Sequence, residues 1–237
     1  MSRVFLLALA LVTGAAHAAV SVETRALTLA DNATAVDVYA PAASPRGLAV
    51  IAHGFTRSRG RHVVLAARLA EVGFLVAVPD LPHWARHDAN ADAIVALVDA
   101  MAAERGLDAL PVVLIGTSAG GLASLLATDR VPRLALWVGL DPVDALRQSR
   151  DAARNLRAPA VVLRAPNGVC NVGGSARQIA AWLPNRRLEQ RVDGASHCDF
   201  EDTTNWRCES ICGAADAARQ ALIVEATVKA AREAVPD

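Results

Sequence analysis

The 237-residue chain has one lysine, Lys229, and only 4% aromatic residues, and its 24 basic and 24 acidic side chains cancel to a formal charge of zero. Its basic residues are therefore almost all arginine. A neutral balance excludes the long-range pull that gathers nucleic acid or an anionic membrane surface. With aromatics scarce and alanine, valine and leucine abundant, the core should be aliphatic, with alanine-rich helices packed closely on a sheet. The chain also lacks internal repeats, low-complexity tracts and a phosphate-cradling glycine loop, so nothing in it calls for a nucleotide or another cofactor.

The amino terminus reads as a targeting element. Arg3 supplies a positive charge, residues 4–12 an apolar stretch, and Ala16-His17-Ala18 a small-x-small cleavage site. We expect residues 1–18 to be a signal peptide and residues 19–237 to form one domain, secreted or periplasmic. The stretch is too short to span a bilayer, no second long apolar segment follows, and no cysteine stands at the cleavage point to accept lipid. Stable membrane insertion of the mature chain is not expected.

Two β-branched, partly alternating runs at 20–29 and 33–39, separated by Asp31-Asn32, suit an opening antiparallel hairpin. Five wholly apolar runs follow, at 48–52, 74–78, 112–115, 134–140 and 160–163, as strands buried on both faces should be. Helical patterns lie at 62–72, 91–105, 119–128, 175–183 and 214–234, and a short strand-like run at 188–192. This alternation predicts an α/β fold, a mostly parallel doubly wound sheet flanked by helices. The connection 142–158 is too short for a lid domain, so the site should open to solvent.

Chemistry concentrates at the carboxyl ends of three of these runs. Gly116-Thr117-Ser118-Ala119-Gly120 lies between a strand and a helix, and a serine can stand on such a sharp turn only where its neighbours lack bulk. Ser118 is the candidate nucleophile. Gly139-Leu140-Asp141-Pro142-Val143-Asp144 closes the next strand and makes Asp141 the candidate acid, with Asp144 as its substitute. His53, His62, His83 and His87 precede the serine and His17 lies in the leader, which leaves His197, in Asp193-Gly194-Ala195-Ser196-His197, as the candidate base. Asp193 and Asp199 read as supports of its loop. In Ala52-His53-Gly54-Phe55 a glycine lets the backbone approach a substrate, so the N–H groups of Phe55 and Ala119 are the expected oxyanion hole and His53 a brace for the loop. Arg57, Arg59 and Arg61 beside it read as a solvated loop or as a rim for an anionic or carbonyl-rich substrate. Residues 82–87, with His83, Trp84 and His87, are either an ordinary loop or a wall of the pocket; His83 and His87 alone make a poor metal pair.

Four cysteines, Cys170, Cys198, Cys208 and Cys212, all fall in the last third. In an exported chain they read as two disulfides with three possible connectivities, one expected to join Cys170 to a cysteine near His197. The rival reading is a zinc site made by Cys198, Cys208 and Cys212 with His197; no metal is expected.

The His-Gly-Phe, Gly-x-Ser-x-Gly and Asp-Pro-Val-Asp segments and the Gly-Ala-Ser-His run together resemble the α/β-hydrolase superfamily, over nearly the whole mature chain. Within it the chain is most similar to bacterial chlorophyllase-like and dienelactone-hydrolase-like esterases. Plant chlorophyllases and pancreatic-type lipases carry a similar Asp-Pro motif with the acid after this strand. Many other members carry it one strand later, where this chain reads Arg164-Ala165-Pro166-Asn167-Gly168-Val169, without a carboxylate. Thr117 stands where chlorophyllases usually have histidine, which argues against chlorophyll as substrate. The resemblance implies a serine carboxylesterase acting on a small-molecule ester through an acyl-enzyme. Alternatives are an acyltransferase or peptidase using the same three residues, or an inactive secreted binding protein of the same fold.

Overall fold

A computed structural model describes residues 19–105 and 107–236; the expected signal peptide lies outside the described residues. The chain opens with strands β1 (Ser21–Leu29) and β2 (Asn32–Ala40), paired antiparallel along their full length. The turn falls at Ala30-Asp31, one residue earlier than the sequence suggested, with both residues at positive φ (45° and 66°). A two-residue hairpin loop needs that geometry to match the twist of its strands.

Strands β3 (Gly47–Ala52), β4 (Phe74–Pro79), β5 (Val112–Thr117), β6 (Leu134–Leu140), β7 (Ala160–Arg164) and β8 (Arg186–Arg191) complete one sheet in the order β1-β2-β4-β3-β5-β6-β7-β8. Every pairing from β4 to β8 is parallel. The apolar runs all became strands because the sheet is covered on both faces: β3, β4 and β5 are buried at every position. Strand β8 differs. Among the described residues it pairs only with β7, and its Arg186, Arg187 and Glu189 charges suit an edge strand, where they discourage pairing with another chain.

Helices α2 (His87–Arg105), α3 (Ala119–Ala127), α4 (Ser149–Asn155) and α5 (Ser175–Trp182) follow strands β4, β5, β6 and β7 in turn. Ala91, Ile94, Leu97, Val98 and Met101, spaced by three and four residues, bring α2 onto the face made by Leu48, Val50, Leu114 and Trp137. Helices α1 (Val63–Glu71) and α7 (Ala217–Ala234) cover the other face, where Leu65, Leu69, Ile223 and Val228 meet Ile51, Val76, Ile115 and Val138. Alternate residues of one strand thus feed two separate cores. Helix α2 begins four residues before the expected start. Helix α7 starts at Ala217 rather than 214, where the Asp216 carboxylate accepts the N–H groups of Ala218 and Arg219. A short helix α6 (Trp206–Cys212), which the sequence did not suggest, precedes it. Because β3, β5 and β6 are adjacent and parallel, the segments leaving their carboxyl ends emerge at one edge of the sheet, the usual location of ligand sites in open α/β folds.

Candidate active site

Ser118 sits between β5 and α3 with φ 54° and ψ −123°, a conformation that costs free energy in a non-glycine residue and persists only where its surroundings enforce it. The surroundings here are backbone. Ser118 donates its N–H to Leu140 O at 3.0 Å and accepts from Val143 N–H at 3.0 Å, so the turn is fastened to the end of β6. A Cβ at Gly120 would lie 2.3 Å from the carbonyl oxygens of both Ala52 and His53, and one at Gly116 2.3 Å from Gly120 O. The two flanking glycines are what allow β3, β5 and α3 to meet this closely. Thr117 donates its hydroxyl to Phe200 O at 3.3 Å, linking the turn to the segment that carries His197.

Asp141 follows directly after β6 at φ 41° and donates its N–H to Leu163 O at 2.7 Å. Its Oδ2 lies 2.7 Å from His197 Nδ1. A carboxylate only accepts, so Nδ1 carries the proton and Nε2 presents its lone pair. The Asp141 side chain is fully buried while that of His197 keeps 12% exposure, so the acid is hidden and the imidazole reaches the cleft. Two further donors meet the carboxylate: Ala165 N–H at 3.2 Å from Oδ1, and Asn171 Nδ2 at 3.3 Å from Oδ2 and 3.5 Å from Oδ1.

The His197 segment is a short 3-10 turn with a reciprocal cap. Ser196 Oγ accepts from Cys198 N–H, and Asp199 Oδ2 accepts from Ser196 N–H at 2.7 Å. Asp199 also accepts from Asp216 N–H and from Arg219 Nε, which ties the turn to the start of α7. Asp193, in contrast, is exposed and pairs with Arg191. Disulfides join Cys198 to Cys208 and Cys170 to Cys212, so both connect α6 to the site's loops. The sulfurs of Cys198, Cys208 and Cys212 do cluster within 4.8 Å of one another, the grouping the zinc reading imagined. Each is bonded to another sulfur, which removes the thiolates that zinc would need.

On the opposite side, His53 Nδ1 donates to Gly54 O at 2.8 Å and Nε2 accepts Leu81 N–H at 2.9 Å. Burial lowers its pKa, with the Gly54 bond opposing, so the ring is held neutral as a brace between two loops. Gly54 and Arg57 close a turn, and Phe55 stacks on Trp84 with ring centroids 5.0 Å apart. Arg57 forms a two-pronged ion pair with Glu201, four residues past His197, and so ties the Phe55 loop to the His197 segment. The neighbouring arginines are occupied as well. Arg59 pairs with Asp37 and Asp80, and Arg61 donates to Thr203 O. The expected solvated arginine loop is a set of struts.

A cleft of about 770 Å³ is lined by Phe55, Ser118, Ala119, His87, His197 and Ile211, among others. It brings together four of the five residues singled out for chemistry, and Asp141 stands behind His197. Asp144, the substitute acid, is spent elsewhere: its carboxylate accepts the N–H groups of Leu146, Gln148 and Ser149 at the entrance to α4. The loop 82–87 does contribute to the cleft, through Ala85 and His87. Its His83 instead faces Asn32. Sequence reasoning missed Asn171, Ala165 and the Arg57–Glu201 pair. None belongs to a motif, and each acts across a long chain separation.

No family model and no curated protein matches the sequence. Solved structures do match. A dienelactone hydrolase from Anabaena variabilis aligns at TM-score 0.70 and 18% identity over 90% of this chain and 96% of its own. Est1E from Butyrivibrio proteoclasticus aligns at TM-score 0.69 and 17% identity, covering 90% and 99%. A predicted CIB-like hydrolase from Thermoplasma acidophilum aligns at TM-score 0.67 and 14% identity, also covering 90% and 99%. The eight-stranded, mostly parallel sheet, the serine turn after β5 and these near-complete alignments give one conclusion: this chain has the α/β-hydrolase fold.

Proposed function

We propose that the chain is an exported serine carboxylesterase, a single domain over residues 19–237 in which Ser118, His197 and Asp141 form the catalytic triad. The observation that carries this reading is the 2.7 Å contact between Asp141 and His197, residues 56 apart in the chain, beside a cleft that Ser118 and His197 both line. His197 Nε2 takes the hydroxyl proton of Ser118 as Oγ attacks the ester carbonyl, and Asp141 holds the imidazole and stabilises its positive form. The N–H groups of Phe55 and Ala119 receive the oxyanion; Ala119 opens α3, where backbone donors have no partner within the helix. Each such donor is worth about 3 kcal/mol. Collapse of the tetrahedral intermediate breaks the C–O bond, and His197 returns its proton to the departing alcohol. Water, deprotonated by His197, then releases the acid and regenerates Ser118.

The carboxylic ester is favoured by the dienelactone hydrolase among the similar structures, whose name denotes opening of a cyclic ester. Between β6 and β7 the chain holds only the short helix α4, which suits a cleft without a lid and a small soluble substrate. Export is supported by the two disulfides and by the leader pattern. Among the described residues no helix is long and apolar enough to cross a membrane.

The test is hydrolysis of a short and a long p-nitrophenyl ester by the mature protein and by Ser118→Ala. Turnover of the short ester that disappears with Ser118→Ala is expected. A folded, disulfide-bonded protein inert toward both esters would overturn the esterase reading and redirect attention to acyl transfer or peptide hydrolysis.

A further inference from the structure

The acid of the proposed triad, presented by β6, is held from the loop that follows β7. We infer that Asn171 is a positioning residue for the reaction: its side-chain amide, with the N–H of Ala165, fixes the Asp141 carboxylate toward His197. This rests on the proposed roles of Asp141 and His197 and adds a residue that no motif in the chain marks.

The hydrogen-bonding capacity of the amide decides where its last hydrogen points. The Asn171 amide has two N–H bonds and one acceptor oxygen. Its Oδ1 accepts Gly168 N–H at 2.8 Å, and Nδ2 donates one hydrogen to Pro166 O at 2.8 Å. These two bonds clamp the amide plane to its own loop and leave the second hydrogen, directed at the Asp141 carboxylate. Both residues are buried, Asn171 at 2% exposure and Asp141 at 0%, so bulk water is poorly placed to replace this donor. Together with Ala165 N–H, the contacts limit rotation of the carboxylate, leaving Oδ2 toward Nδ1 of His197.

The loop is itself held in shape. Val172, Gly173 and Gly174 follow Asn171 at φ 51°, 66° and 96°, a left-handed run that needs external restraint in its non-glycine member. Restraint comes from the Cys170–Cys212 disulfide on one side and from Ser175 N–H, bonded to Asn171 O at 2.9 Å, on the other. The loop after β7 thus contributes no carboxylate of its own, yet two of its N–H groups hold the carboxylate presented by β6. The other acidic groups around the His197 turn are engaged elsewhere, Asp199 with Arg219 and Glu201 with Arg57.

A purely structural role, closing the turn at 166–171, is the competing account, and kinetics separate the two. Asn171→Asp and Asn171→Ala are prepared in the disulfide-bonded mature chain and assayed on p-nitrophenyl butyrate across pH, beside Ser118→Ala and Asp141→Asn. A misdirected acid lowers kcat by about 10- to 100-fold and leaves KM nearly unchanged, because Asn171 does not line the substrate cleft. Asn171→Asp also puts a second carboxylate beside Asp141, which favours the protonated imidazole and moves the acid limb of the kcat/KM profile up by about one pH unit. If both variants melt at lower temperature but keep the wild-type kcat and limb position, Asn171 is structural and the inference is overturned. If Asn171→Asp does not fold, the kcat-against-KM split in Asn171→Ala decides. Retained activity in Ser118→Ala or Asp141→Asn would instead sink the triad assignment, a separate failure.

Discussion

Replacing Asp141 with asparagine removes a charge while keeping the shape, and the neighbours of the carboxylate dictate how the new amide sits. Oδ1 accepts from Ala165 N–H at 3.2 Å, so the amide oxygen must stay on that side. The NH2 group then occupies the Oδ2 position, 2.7 Å from His197 Nδ1. Two donors cannot share that contact. The imidazole shifts its proton to Nε2, and an Nε2–H cannot accept the Ser118 proton. Locking a serine hydrolase in the wrong tautomer costs about 10⁴ in kcat, or about 5 kcal/mol of transition-state stabilisation. KM should change little, because Asp141 does not line the cleft. Stability should fall by only about 1–3 kcal/mol, since the charge-assisted hydrogen bond to His197 is lost, Asn171 Nδ2 keeps only its 3.5 Å approach to the new amide oxygen, and no cavity forms. Steady-state hydrolysis of p-nitrophenyl butyrate gives kcat and KM, and urea denaturation gives stability. A loss of less than tenfold in kcat with the fold intact would refute the reasoning and show that His197 works without this acid.

His62 is fully buried, and desolvation lowers its pKa from 6.5 to about 4. Below pH 6.5 the unfolded chain takes up a proton that the native chain refuses, so stability is lost as pH falls through this window. The loss approaches about 3 kcal/mol near pH 4. His53, also lowered by burial, acts in the same direction, whereas burial raises the Asp202 carboxyl and opposes the trend at the acid end. Urea midpoints measured from neutral pH downward should decline, and a midpoint independent of pH down to 4 would contradict this account. Removing the Cys170–Cys212 disulfide, which spans 42 residues, should cost about 4 kcal/mol, and removing Cys198–Cys208, which spans 10, about 3 kcal/mol. Urea curves of Cys-to-Ala pairs would expose a wrong ranking. Gly120→Ala drives a methyl against the Ala52 and His53 carbonyls and should destabilise the chain by more than about 3 kcal/mol or prevent soluble expression. A variant with wild-type melting temperature would show that β3 and α3 can separate at this crossing.

Much of the fold was legible because burial on both faces leaves an unmistakable mark: strands β3 to β6 are apolar runs bounded by polar or glycine-bearing segments. Elements without that mark were harder to read. The first turn of α2, His87-Asp88-Ala89-Asn90, begins with polar residues and has no periodic apolar stripe to announce it. Helix α6 has no fully buried residue; its two disulfides and the Asn205 cap hold it, and periodicity registers none of these. The start of α7 turned on a cap at Asp216 rather than on hydrophobic pattern.

The local chemistry of the site is written in consecutive residues. Glycines on either side of Ser118 are needed wherever a strand turns sharply into a helix, and an aspartate ending an apolar strand emerges at the sheet edge, so both were readable without coordinates. What neighbours what across the chain is another matter. Arg57 meets Glu201 across 144 residues, Asn171 reaches Asp141 across 30, and Cys170 pairs with Cys212 rather than with either nearer cysteine around His197. Such contacts exist only after the sheet has ordered its strands and brought their loops to one edge. The tertiary structure alone chose the partners that hold acid, base and oxyanion loop in place.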